Sequence, residues 1–328
     1  MAATMTALFG GTGPAWEARE IPVPAPGPGQ VLIRNRAVAL NNADAAMLSA
    51  ADPAAGGTGA QYSAGYEFAG EIASAGEGVT TVAAGAPVMG TSPASFAAYV
   101  LADHRHVLPV PDGLGWEEAC ALPTGLLTEH GALTAAGFTP GRSVLITGAT
   151  SGIGLIGVRI ARELKAGQVI ATTRSAAKAE PLRRAGADTV VVTGEQDLTQ
   201  AVLDATDGQG AEIVLDHVGG AMFAACLPAT RADGAVVSVG RLDTAAATID
   251  LDALAYRRLR LRGVSFGFTR AAELGAVIAA AGEQLLPGVA RGRIRPRVDS
   301  TYSFANAAEA AGRLRSHQAH GKIVLTLP

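Results

Sequence analysis

The spacing of apolar positions changes character along the chain. At 144–147 a run of apolar and β-branched residues, Val144, Leu145, Ile146 and Thr147, leads into Gly148-Ala149-Thr150-Ser151-Gly152-Ile153-Gly154. An amphipathic helical pattern then continues to about Gly167, and a second apolar run occupies 169–173. Strand, glycine turn, helix and strand make the βαβ unit of a dinucleotide-binding fold. The alternation continues with apolar runs at 189–192, 213–216 and 235–239, each preceded by a helical stretch, and a sixth run lies at 259–266. Such a series predicts a doubly wound parallel sheet. Right-handed crossovers would gather the strand C-termini, with Gly148, Arg174, 216–219 and Gly240-Arg241, along one edge.

The first 123 residues follow a strand-like pattern instead. Runs at 5–9 and 31–36 are separated by a Pro- and Gly-rich loop at 22–29 that cannot be helical, and further runs lie at 65–72 and 86–89. These are the elements of a small barrel. A short alanine-rich helix follows Asn41-Asn42-Ala43-Asp44, with Asn42 or Asp44 as its expected cap, and 49–63 reads as a surface loop. Helical periodicity runs through 117–136. From about 268 the pattern gives one or two helices and a closing strand at 322–325 that is expected to return to the first domain. The expected domains are therefore 1–123 together with 268–328, and a nucleotide-binding domain at 124–267.

Gly152, Gly154 and Gly157 stand in G-x-G-x-x-G register, which lets the turn approach a pyrophosphate without an intervening Cβ. The residues of that turn, Ala149, Ser151, Gly152, Ile153 and Gly154, are the candidate phosphate cradle at a helix N-terminus. About twenty residues on, where an NAD site places an acid on the ribose, stand Arg174, Ser175 and Lys178. A guanidinium, a hydroxyl and an ammonium suit a 2′-phosphate, so the expected cofactor is NADP(H).

Composition narrows the class further. The 328 residues are 48% hydrophobic with a net charge of −3, and basic residues are dispersed apart from Arg257-Arg258-Leu259-Arg260-Leu261-Arg262. That alternation reads as a strand with one polar face, and no nucleic-acid partner is expected. No apolar run has the length of a membrane span and no basic-then-apolar leader is present, so the expected site of action is the cytoplasm, with no membrane partner. Cys120 and Cys226 are too few and too separated to hold a catalytic or structural zinc. His104-x-His106 and His317-x-x-His320 lack carboxylate partners in sequence, and no metal site is expected.

Several motifs spread over the whole chain act together. Leu40-Asn41-x-x-Asp44, Gly65-x-Glu67-x-Ala69-Gly70, Leu122-Pro123 with Leu127-Thr128, the glycine turn, Arg174-Ser175 with Lys178, Asp216-x-Val218-Gly219-Gly220 and Gly321-Lys322-Ile323-Val324-Leu325 resemble the medium-chain dehydrogenase/reductase superfamily, and within it the zinc-free quinone oxidoreductase branch. The resemblance implies an α/β fold, a Rossmann domain joined to a GroES-like small β-barrel. Where zinc-dependent relatives carry a ligand Cys and a Gly-His-Glu, this chain has Asn41 and Gly65-Tyr66-Glu67.

The resemblance also implies roles. Asn41 would lie at the nicotinamide end and help form the substrate floor, Thr128 would be near the cofactor, and Tyr66 would be a hydrogen-bond donor in the cleft; Tyr66 reads equally as an aromatic of the barrel core. His217, Val218, Gly240, Arg241, Phe266, Gly267, Phe268 and Lys322 complete the implied cofactor contacts, with a ribose hydrogen bond or a catalytic role both open to His217. The chain departs from the pattern at Met47, where a polar or aromatic residue is usual, and at Glu129-His130, where small and aromatic residues are usual. Glu129 and His130 point about 100° apart on a helix, so they cannot form one dyad. His130 is the candidate general acid. The implied activity is an NADPH-dependent reduction of a quinone or activated alkene. The alternatives are an enoyl-thioester reductase and a cofactor-binding protein with a non-redox role. The alternating segment at 257–265 is the expected edge strand of a homodimer.

Overall fold

The computed structural model describes residues 3–267, 270–316 and 318–328, so Phe268 and His317 lie outside the described residues. The chain begins with β1 (Thr4–Gly10), β2 (Glu17–Pro22), β3 (Gln30–Leu40), α1 (Asn42–Ala51), β4 (Tyr62–Ser63), β5 (Glu67–Ala75), β6 (Pro87–Thr91), β7 (Tyr99–Asp103), β8 (Val107–Pro109) and α2 (Trp116–Cys120). There follow α3 (Pro123–Ala136), β9 (Ser143–Ile146), α4 (Gly152–Glu163), β10 (Gln168–Thr173), α5 (Ala179–Ala185), β11 (Thr189–Val192) and α6 (Leu198–Ala205). The alternation continues with β12 (Ala211–Asp216), α7 (Gly220–Cys226), β13 (Thr230–Ser238), α8 (Leu251–Tyr256) and β14 (Arg260–Gly263). The last elements are α9 (Ala271–Ala290), β15 (Val298–Ser303), α10 (Ala307–Arg315) and β16 (Lys322–Thr326). Among the described residues no helix is long and apolar enough to cross a membrane.

Two compact units result. One comprises Met1–Thr124, Arg270–Gly282 and Pro296–Pro328; the other comprises Gly125–Thr269 and Glu283–Arg295. The segment Glu283–Arg295 thus packs with the nucleotide-binding unit, although the sequence pattern assigns 268–328 to the barrel unit as a block. Its anchors include Arg293, whose guanidinium meets both oxygens of Glu163 at the end of α4.

The nucleotide-binding unit is built on a six-stranded parallel sheet in the order β11-β10-β9-β12-β13-β14. The first strand, β9, is flanked by β10 on one side and β12 on the other, so successive crossovers turn in opposite directions there. That reversal makes the crevice at the C-terminal ends of β9 and β12 the expected ligand position in a Rossmann sheet. Val144, Leu145, Ile146, Val169, Ile170, Ile213 and Val214 are wholly buried, as strands covered on both faces require. β14 is shorter than the 259–266 run predicts; just before it Arg258 pairs with Asp233 and Arg257 donates to the Thr230 carbonyl, and within it Leu261 packs on the core.

The barrel unit is mostly antiparallel. Its larger sheet runs β15-β16-β3-β5-β6-β8, with β7 also pairing to β3, and a smaller sheet runs β2-β1-β4. The closing strand β16 returns to this unit as expected, lying between β15 and β3. The core gathers Val31, Ile33, Phe68, Phe96, Ile323 and Leu325, with Trp16 set edge-on to Phe96 at 5.2 Å between centroids. Helical periodicity at 117–136 proves to be two helices, because Pro123 cannot donate to the turn before it and starts α3 instead. The cap of α1 is Asn41, one residue before Asn42 and three before Asp44, the expected candidates; Asp44 supplies the reciprocal bond by accepting the Asn41 N–H at 2.7 Å.

Candidate cofactor and substrate site

The glycine turn holds its shape through its own polar groups. Gly148 has a left-handed φ of 57° and donates its N–H to Thr172 Oγ1 at 3.1 Å, which ties the end of β9 to β10. Ser151 caps α4 by accepting the Gly154 N–H at 3.0 Å, and its carbonyl takes the Leu155 N–H. The amides of Gly152 and Ile153 are then the first-turn donors left to face an anion. A Cβ on Gly154 would press on the Ala149 Cα and the Gly148 carbonyl at 2.8 Å, so only glycine permits this close turn. Ala149 is buried beneath it, and Ser151, Gly152 and Ile153 are half-buried.

At the end of β10, Arg174 and Ser175 are exposed and Lys178 is half-buried at the end of the short turn that follows. No carboxylate stands beside them in the sequence 172–179 to repel a phosphate. The turn and this cationic group together fit a dinucleotide bearing a 2′-phosphate.

The C-terminal end of β12 is locked by hydrogen bonds. Asp216, wholly buried, accepts from Thr147 Oγ1 at 2.6 Å and from the amides of Val218 and Gly219, and Thr147 Oγ1 in turn accepts the His217 N–H. His217 is buried with its Nε2 3.2 Å from Oε1 of Glu129, which is wholly buried on α3. A Cβ at Gly157 would collide with the Glu129 carboxylate. The third glycine of the fingerprint therefore makes room for an acid on α3, whereas the motif alone predicts helix-on-strand packing. Neither Glu129 oxygen has an aligned hydrogen bond among the described residues, so the meeting with His217 is an ion pair by distance. Burial is the largest influence on the His217 pKa and lowers it, but the Glu129 charge and contact, with Asp216, outweigh it and the net shift is upward.

The remaining candidates of this unit are placed differently. His130 is buried, its Nδ1 lacks a partner among the described residues, and burial pulls its pKa down, with a Gln284 contact acting weakly in the other direction. It is thus neutral at pH 7, a poor starting point for the general acid the sequence suggests. Thr128 and Val218 are half-buried, as is Gly240; Arg241 and Gly267 are exposed. Phe266 packs its ring edge into the space over Gly131 of α3.

In the barrel unit, Asn41, Glu67 and Lys322 form one polar cluster. Lys322 Nζ donates to Glu67 Oε2 at 2.5 Å and to Asn41 Oδ1 at 2.7 Å; Asn41 Nδ2 donates to the same Glu67 oxygen at 3.1 Å. The other oxygen, Glu67 Oε1, accepts the Thr124 N–H at 2.7 Å. Glu67 is 0% and Lys322 4% exposed, so the pair is desolvated and depends on these bonds. Lys322, an implied cofactor contact, has two of its donors committed here. Asp44, buried at 5% exposure beside the cluster, has its carboxyl pushed up to about 7, first by burial and further by the Glu67 charge, against the Asn41 bond and Lys322.

This donor set does not fit zinc. An ammonium already occupies the place between Asn41 and Glu67, and Cys120, also buried, has its thiol pushed up by burial. Among the described residues no group of three or more His, Cys, Asp or Glu could hold a metal ion. Tyr66 is half-buried beside Thr91, its phenol pKa raised first by burial. His104 meets Thr81 Oγ1 and His106 meets the Ala271 carbonyl, both as half-buried residues.

The sequence pointed to the turn and to Arg174 but not to the Glu129–His217 and Glu67–Lys322 pairs, whose members are remote along the chain. The unusual acid at 129 is the one signal of the first pair, and Glu67 and Lys322 stand in separate motifs that say nothing of their bond.

Comparison with known proteins agrees with this architecture. The "Alcohol dehydrogenase GroES-like domain" profile matches residues 27–112 and the "Zinc-binding dehydrogenase" profile residues 152–281. The Spectinabilin polyketide synthase system protein NorB of Streptomyces orinoci is 32% identical over 92% of this chain, which spans only 13% of that protein. A quinone oxidoreductase of Pseudomonas aeruginosa is 29% identical over 94% of each chain. A mycobacterial structure complexed with NADPH superposes with a TM-score of 0.85 at 25% identity, covering 98% of this chain and all of that one. The chain belongs to the medium-chain dehydrogenase/reductase superfamily, in its quinone oxidoreductase branch.

Proposed function

We propose that this protein is a zinc-independent, NADPH-dependent reductase of quinones or activated alkenes. The observation that carries the cofactor half is the exposed Arg174-Ser175 pair with Lys178 at the end of β10, beyond a capped glycine turn. The NADPH complex of the mycobacterial neighbour supports it. Gly152 and Ile153 amides would hold the pyrophosphate and Arg174 the 2′-phosphate. When bound, the reduced nicotinamide supplies the hydride.

The barrel cluster supports the metal-free half. Reduction of a conjugated carbonyl develops negative charge on oxygen, which fixed hydrogen-bond donors stabilise. Asn41 has its Oδ1 held by Lys322 and one Nδ2 hydrogen by Glu67, which fixes the carboxamide plane and leaves one N–H for a substrate oxygen. Tyr66 is the second candidate donor; burial keeps its proton in place, and Thr128 lines the cofactor side. A homodimer through the free edge of β14 belongs to the same reading, and a monomeric mass in light scattering at micromolar concentration would contradict it.

The polyketide synthase relative favours a second reading, an enoyl reductase acting on a thioester. One experiment separates them: NADPH absorbance followed with a benzoquinone, a small cyclic enone and a crotonyl thioester, each repeated with NADH. Consumption of NADPH well above NADH is expected with the quinone or the enone. Turnover of the thioester alone selects the second reading, and no turnover with any acceptor refutes both.

A further inference from the structure

The metal-free reading leaves Glu129 without a task and does not choose between the two roles open to His217. Glu129 is wholly buried, and its carboxylate fills the space that Gly157 leaves open. A carboxylate placed in the core without aligned hydrogen bonds is costly, and the imidazole 3.2 Å away is the group that can compensate it. His217 is itself held from the backbone: its N–H donates to Thr147 Oγ1 at 3.0 Å and its carbonyl accepts the Leu242 N–H at 3.2 Å. It follows directly on β12, at the point where the strand order reverses between β9 and β12. With Nε2 turned to Glu129, Nδ1 is the nitrogen available to a ligand.

We propose that His217 is a dinucleotide contact whose Nδ1–H donates to an oxygen of the bound cofactor, and that Glu129 is a positioning residue that holds the imidazole in orientation and charge. The inference rests on the NADP(H) reading above. It also explains the glycine at 157, since any larger residue would displace the carboxylate. The charged groups acting on His217 are Glu129 from α3 and Asp216 from β12, and both favour the imidazolium. NADPH affinity is then tied to the His217 proton: binding is tightest with the imidazolium and weakens as pH rises through its titration. By reciprocity, bound NADPH holds that proton more firmly.

The test is NADPH binding by fluorescence titration from pH 6 to pH 9.5 in the wild type, Glu129→Gln and His217→Asn. Imidazole NMR of the wild type with and without NADPH accompanies it. Glutamine has the shape of glutamate and fits beside Gly157, so Glu129→Gln changes the charge and keeps the packing. Loss of a charge-assisted bond should weaken NADPH binding about tenfold or more at neutral pH. In Glu129→Gln the pH-dependent fall should begin at lower pH; in His217→Asn it should vanish. NADPH should move the His217 NMR titration upward. Identical pH profiles in all three proteins, or a His217 titration that NADPH does not move, would overturn the proposal while leaving the cofactor reading intact. A wild type that binds no NADPH at any pH refutes the cofactor reading and this proposal together. If His217→Asn does not fold, Glu129→Gln and the wild-type NMR decide.

Discussion

Asp44→Asn should make the protein more stable, and the gain should grow with pH. Asp44 is buried at the start of α1, where its carboxylate accepts the Asn41 N–H at 2.7 Å. Burial pushes its pKa up to about 7, against an ordinary value of 3.8. A folded-state pKa above the unfolded one means that the fold prefers the protonated acid. The cost of this group is therefore absent below about pH 4, grows from there to about pH 7, and is complete above it. The difference amounts to about 4 kcal/mol at pH 8 and about 2 kcal/mol at pH 5. Asparagine is neutral throughout and keeps an oxygen for the Asn41 N–H, so it escapes the penalty. Urea denaturation of both proteins at pH 5 and pH 8, followed by circular dichroism, measures the two differences. An Asp44→Asn gain that is equal at the two pH values, or a variant less stable than wild type at pH 8, would refute the reasoning. It would mean that the helix N-terminus and Lys322 hold the carboxylate ionised despite its burial.

Arg174→Ala should weaken NADPH binding about tenfold to a hundredfold and leave NADH nearly unchanged, as parallel titrations with the two nucleotides would show; equal losses would remove Arg174 from the 2′-phosphate. Lys322→Met leaves Glu67 buried without its ammonium and should cost about 3–5 kcal/mol in denaturation at pH 8, whereas the double variant with Glu67→Gln should recover part of the loss. Gly157→Ala forces the Glu129 carboxylate aside and should destabilise by about 1–3 kcal/mol; a smaller effect in a Glu129→Ala background is the diagnostic result.

The parts of the fold that the sequence makes legible are those where one local period governs many residues. β9, the glycine turn, α4 and β10 follow from a run of four apolar residues, three glycines and a helical repeat, each needing no information from elsewhere. β2 and β15 escape detection because edge position leaves them mixed, with no residue fully buried: EAREIP and VDSTYS carry no apolar alternation. The site divides in the same way. The cap on Gly154 and the cations after β10 are local, but the bond between Lys322 and Glu67 joins residues 255 positions apart. His130 is a case where burial is invisible to the sequence: a chemically suggestive residue lies in the core, and that burial lowers its pKa.

The place of β16 between β15 and β3 also sets an order of events during synthesis. Residues 322–326 complete the middle of the barrel unit's larger sheet and bring the ammonium that Glu67 requires. The segment up to Thr124 is therefore made with an open slot beside β3 and with Glu67 bonded by Asn41 and the Thr124 N–H but still without its ammonium. It must wait in that state while the whole nucleotide-binding unit is translated and can fold ahead of it. The barrel unit's strands lie on both sides of the nucleotide-binding unit in the chain, so in the nascent chain it is the half that exposes a free strand edge to chaperones.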